Sequence, residues 1–139
     1  MEELSITVGS LSFRARFEPE SAPETCRAFA GILPFKSQII QARWSGESAW
    51  IPLGGYDLGV GPESGGQTAK PEPGQILFYP AGISETEILF PYGETRFASK
   101  FGELQGNHFL TITEGIEQLG ELGRLVLWEG AQEIVFDRV

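Results

Sequence analysis

The residues that most often build reactive centres are scarce here: the chain holds one cysteine, Cys26, one histidine, His108, and one methionine. A single cysteine excludes a disulfide within the chain, and one cysteine with one histidine makes a zinc site of those ligands implausible. No metal and no cofactor is expected. Positive charge is scarce too. Ten basic against nineteen acidic side chains leave a formal charge of -9, which repels phosphate backbones and anionic headgroups, so neither nucleic acid nor a membrane surface is an expected partner. No apolar run approaches the roughly 18 residues of a membrane span. The opening "MEELSITVGS" is acidic and alternating, unlike a secretory leader. A cytoplasmic chain is the expectation.

What is abundant is punctuation. Eighteen glycines and nine prolines cut 139 residues into short segments, the habit of a sheet protein with frequent turns. The length suits one domain over residues 1–139. Ser5 to Val8 and Leu11 to Phe17 alternate about a Gly9-Ser10 turn, with Leu11, Phe13, Ala15 and Phe17 on one face and Arg14 and Arg16 on the other. Further strands are expected at Gln38 to Trp44, Ala49 to Leu53, Ile76 to Tyr79, Thr86 to Phe90, Thr95 to Phe101, His108 to Thr113, Arg124 to Trp128 and Glu133 to Phe136. Such an inventory closes most simply into a barrel.

Two helices interrupt the strands. In "SAPETCRAFAGIL", Ser21 and Glu24 form a capping-box pattern and Pro34 stops a helix after Leu33. Ala22, Cys26, Phe29, Ala30 and Leu33 fall on one face, so the Cys26 thiol is expected to be buried and inert. A shorter helix is expected over Glu114 to Leu122, ending at Gly123. Between Gly54 and Gly74, ten of 21 residues are glycine or proline. Tyr56, Leu58 and Val60 make that stretch an arm, suited to docking on the barrel or on a second subunit, and a homo-oligomer is expected.

The order of hairpin, helix, apolar strand, Gly-rich stretch and then "PGQILFYPAG" resembles the start of the cyclophilin fold. More specifically, "ARWSGESAWIPLG", "GQILFYPAGISETEILFPYG", "FASKFG" and "GNHFLTITEG" resemble an uncharacterised bacterial and archaeal family of cyclophilin-like proteins. The resemblance implies a mainly β fold, a closed eight-stranded cyclophilin-like barrel with a short helix over each open end. It implies no particular reaction. Active cyclophilins isomerise prolyl peptides, using a guanidinium to stabilise the twisted amide, and write the site as "F-H-R-V-I-P-x-F-M-x-Q-G-G". With Gly54-Gly55 set on the paired glycines, Leu53 stands at the glutamine and Ser45 at the arginine. Arg43 lies two residues away on the same strand face. Proline isomerisation is thus an alternative lacking its two key groups.

The leading expectation is a small-molecule pocket at the barrel edge, with Arg43, Trp44, Tyr79, Glu85 and His108 as ligand-binding candidates and His108 and Glu85 as the candidates for any catalysis. His108 alone has an unperturbed pKa suited to proton transfer near neutrality, and it stands at a strand start; a lone histidine there is more often structural, donating to a backbone carbonyl. Glu85 and Glu87, two apart, either converge as paired acids or divide between a turn and solvent, since Ile88 and Phe90 claim the inward face. Trp44 and Trp50 read as core or as ligand platforms. A non-catalytic assembly subunit is the remaining alternative.

Overall fold

The computed structural model describes residues 2–62 and 65–139. Its strands are β1 (Glu3–Val8), β2 (Leu11–Phe17), β3 (Phe35–Gln41), β4 (Gly46–Gly54), β5 (Gln67–Thr68), β6 (Gln75–Tyr79), β7 (Thr86–Thr95), β8 (Ala98–Ser99), β9 (Gly102–Glu103), β10 (Gly106–Glu114) and β11 (Gln132–Arg138); the helices are α1 (Pro23–Ala30) and α2 (Leu119–Arg124). The order β2-β1-β11-β3-β4-β7-β6-β10 is closed by pairing of β10 with β2, giving an eight-stranded antiparallel barrel, with β5 added beside β10 and β8–β9 a separate small hairpin. Closure leaves no barrel strand with an unpaired edge.

Alternation places the main core as the sequence leads one to expect. Leu4, Ile6 and Val8 of β1 and Leu11, Phe13, Ala15 and Phe17 of β2 point inward together with Ile88 and Phe90 of β7. Phe29 of α1 packs edge-on against Phe109, Phe136 and Phe35 at centroid distances of 5.1, 5.2 and 5.6 Å, sealing the end where β3 begins and β11 finishes. Leu119 and Leu122 of α2 join the same core at the end where β6 begins, Leu119 lying beside Gly74 and Ile112. Among the described residues no helix is long and apolar enough to cross a membrane.

Several local expectations are corrected. Helix α1 ends at Ala30, short of Leu33, and Gly123 lies inside α2, which begins only at Leu119, instead of ending it. Ser21 does not cap α1: the cap is Ala22, without a side-chain bond, and Pro23 opens the helix, while the Ser21 hydroxyl lies against Gly66 of the long loop. The segment Arg124 to Trp128 is not a strand. It ends α2 and continues as a π-helical turn, Leu125–Glu129, because Leu119, Leu122 and Val126 recur at helical spacing and Arg124 bonds both Glu121 and Glu129. Thr95 to Phe101 is also no single strand, since β7 ends at Thr95 and the chain folds into β8–β9. Gln38 to Trp44 stops at Gln41, and Arg43–Ser45 form a 3-10 turn. In the 54 to 74 stretch, Leu58 and Val60 pack against the main core and Tyr56 approaches Phe35; Glu63 and Ser64 lie outside the described residues.

Candidate functional site

A second apolar cluster lies outside the barrel wall. Leu77 and Tyr79 of β6 and Leu89 of β7 point away from the main core yet are buried, covered by Ala42, Phe97 and Leu104 with Trp50 at the margin. The β7 to β9 segment is stitched onto this wall by Ser45, whose hydroxyl donates to the Ala98 carbonyl (3.2 Å) and accepts from the Ala98 N–H (3.1 Å). Ser45, which the sequence resemblance set at the arginine position, is therefore a structural clamp.

Where this cover stops, a cleft of about 630 Å³ opens. Its floor is Glu87, opposite Pro52 of β4 and Tyr79 of β6. One wall is Trp44, from the 3-10 turn, standing edge-on to Trp50 with centroids 5.3 Å apart and planes inclined by 82°. The facing wall is Phe101 and Lys100 from the β8–β9 turn, with Lys100 Nζ 5.2 Å from the Phe101 centroid. The third side is the β6–β7 loop, Gly82 to Glu85. That loop is held from below by Tyr79, whose phenol oxygen accepts the Ile83 N–H at 2.9 Å. Ala81 sits at φ 88°, a strained conformation for a residue with a Cβ, which the loop and its anchor impose. Trp44, Ile83 and Phe101, at 50%, 60% and 66% exposure, are large apolar side chains left open on this one rim.

Glu87, for which the sequence left open a paired acid or a solvent-facing residue, is buried, at 3% exposure. Ile88 and Phe90 do face inward, but the outward face of β7 is covered. Burial foremost, and then the neighbouring Glu85 carboxylate, push the Glu87 carboxyl up to about 8. Among the described residues neither Glu87 Oε1 nor Trp50 Nε1 has a hydrogen-bond partner. A buried polar atom without a partner costs on the order of 1–3 kcal/mol, and two of them border this one cleft. The signal in the sequence was the unbroken apolar character of "ILFY" and "ILF", which suits strands covered on both faces.

The structure brings Trp44, Tyr79 and Glu85 to this cleft or directly beneath it, and puts Arg43 and His108 elsewhere. Arg43 borders a separate depression with Gln41, Tyr92 and Trp128, where the Tyr92 hydroxyl donates to Gln41 at 2.7 Å and Glu47 accepts the Glu94 N–H. His108 is on β10, its Nε2 2.8 Å from Thr111 Oγ1. Thr111 gives its only proton to Glu18, so His108 Nε2 must be the donor. Burial holds the imidazole below its usual pKa, and its orienting partner is a hydroxyl. Asn107 is buried and donates to Thr25 of α1. Among the described residues no cluster of histidine, cysteine and carboxylates is placed to hold a metal ion.

A family described as "Protein of unknown function (DUF3830)" matches residues 4–137. The chain belongs to that family. No curated protein matches this DUF3830 chain. Several solved structures share its fold. The hypothetical protein AF2241 from Archaeoglobus fulgidus, a solution structure, has a TM-score of 0.64 at 21% identity, with 99% of this chain and 95% of that one covered. McbB, solved in complex with tryptophan, gives 0.67 at 19% identity over 97% of this chain but 44% of its own. The DUF3830 chain thus spans less than half the length of McbB, and at these identities the likeness is one of fold.

Proposed function

We propose that this DUF3830 chain is a cyclophilin-like barrel that binds a small organic molecule in the outer-wall cleft above Glu87. The observation that carries the reading is a buried carboxyl with an unpartnered oxygen at the base of a cleft whose rim leaves two aromatic side chains and an isoleucine open. Pockets for small ligands combine apolar walls with a few fixed polar groups, and the depression beside β2 is lined by Glu2, Glu3, Arg16 and Glu114 instead. The tryptophan in the McbB structure supports testing small polar aromatics first.

The test is a fragment screen read by thermal shift and by tryptophan emission, since two of the three tryptophans border the cleft. A ligand at about 100 times its Kd adds about 2.7 kcal/mol of stability, several degrees for a domain of this size. Hits should be lost in Trp44→Ala and Phe101→Ala and retained in His108→Ala. Hits that survive both aromatic truncations and disappear with His108→Ala would move the site to β10.

A further inference from the structure

Resting on the cleft as a binding site, we propose that its occupant is a protonated primary or secondary organic amine, with the ammonium seated at Glu87 and an apolar body against Trp44, Trp50 and Phe101. Three observations favour a cation. The floor and mouth of the cleft carry carboxyls, Glu87 and Glu85, against one basic side chain, Lys100. The Trp44 and Trp50 rings, nearly perpendicular at 5.3 Å, form an aromatic corner, and indole faces attract cations more strongly than other rings do. The rim already holds an ammonium of the chain's own, Lys100 over Phe101. An anionic ligand would meet two carboxyls. A quaternary ammonium would bring no N–H to the unpartnered Glu87 Oε1, and a neutral hydrocarbon would leave that oxygen unpaired as before.

The groups facing Glu87 from each packed element are few. β4 presents Trp50, β6 presents Tyr79 with its oxygen accepting the Ile83 N–H, and the β6–β7 loop presents Glu85, the charge that acts on Glu87; Lys100 of the β8–β9 turn lines the same cleft over the Phe101 ring. With the carboxyl pushed up to about 8, Glu87 is protonated near neutrality in the free protein. An arriving ammonium supplies the missing countercharge. The Glu87 O–H bond breaks, its proton passes to solvent, and the carboxylate accepts from the ligand N–H. Affinity should therefore rise about tenfold per pH unit up to about pH 8 and level off above it, because below that value each bound amine must displace a proton.

The experiment is calorimetric titration of the full chain with 2-phenylethylamine and its neutral counterpart 2-phenylethanol, at about pH 6, 7 and 8, in two buffers of different ionisation enthalpy. We expect the amine to bind at least about tenfold more tightly at pH 8, with the stated slope and release of close to one proton below it. Glu87→Gln, checked for an unchanged melting curve at low pH, should abolish both slope and proton release, and Lys100→Ala should tighten the amine by removing a like charge from the rim. An alcohol that binds as well as the amine, with no slope, overturns the ammonium seat while leaving the cleft a binding site. If neither probe nor a wider panel of alkyl and aryl amines binds, the ammonium seat is equally refuted, and neutral and anionic fragments in the screen above then decide the cleft itself.

Discussion

Glu87 concentrates the chemistry of the molecule in one side chain. Its folded pKa, about 8, lies above its unfolded value, so the folded state holds a proton that the unfolded state releases between about pH 4.3 and 8. Stability should fall across that window as pH rises, by at most about 1.4 kcal/mol per unit, and level off above it. Glu87→Gln removes the charge and keeps the shape. The variant should match the wild type near pH 4 and exceed it by a few kcal/mol at pH 9, which urea unfolding at the two pH values measures. Cys26 behaves oppositely in function. Buried, its thiol set against the Phe109 carbonyl at 3.4 Å and its pKa raised to about 11, chiefly by burial, it should label slowly in the native state, and Cys26→Ala should cost about 1 kcal/mol. The helical spacing of "SAPETCRAFAGIL" made that burial legible. Glu87 was not legible, because alternation identifies which face of a strand looks inward but not whether a segment some ten residues later, here Phe97 to Leu104, covers the other face.

Among the elements, α2 and the β8–β9 hairpin show where short patterns mislead. "RLVLW" has the composition of a strand, yet its neighbours Leu119 and Leu122 put it on a helical repeat, and the helix docks through Gly123 directly onto the Tyr92 ring of β7. Gly123→Ala should test that contact. Alanine gains about 0.8–1.0 kcal/mol over glycine in a helix, but its Cβ would press on a ring whose hydroxyl is held by Gln41. Overpacking typically costs about 1–3 kcal/mol, so a lowered melting temperature is the expected result. Ser45→Ala should release the β8–β9 hairpin from the 3-10 turn. Amide exchange at Ala98 should accelerate while that of Ile88 and Phe90 stays slow, since the hydroxyl clamps only the outer layer. The β1–β2 hairpin, with a clean alternation and a glycine turn, was read correctly from the chain alone because local pattern and tertiary demand coincide there.

At the scale of the whole molecule the barrel and its annex are two stacked layers that share the wall of β6 and β7. Closure leaves the eight barrel strands without free edges, so strand addition to another copy is open only to β5 and to the separate β8–β9 hairpin. Native-state hydrogen exchange should separate the layers. Amides of the barrel strands should exchange only by global unfolding, whereas the β6–β7 loop and the β8–β9 hairpin should open locally at lower free energy; a single common exchange limit for both would contradict the layering. The strand segments suggested a barrel and the resemblance supplied its eight strands, while the annex depends on contacts between segments distant in sequence. Because Trp44, Ile83, Lys100 and Phe101 face away from the main core, changes there and changes at Ile88 or Phe90 on the inner side should combine additively. Rim and core are then separable in mutation: side chains on the outer wall can be exchanged without a penalty carried over to the packing inside the barrel.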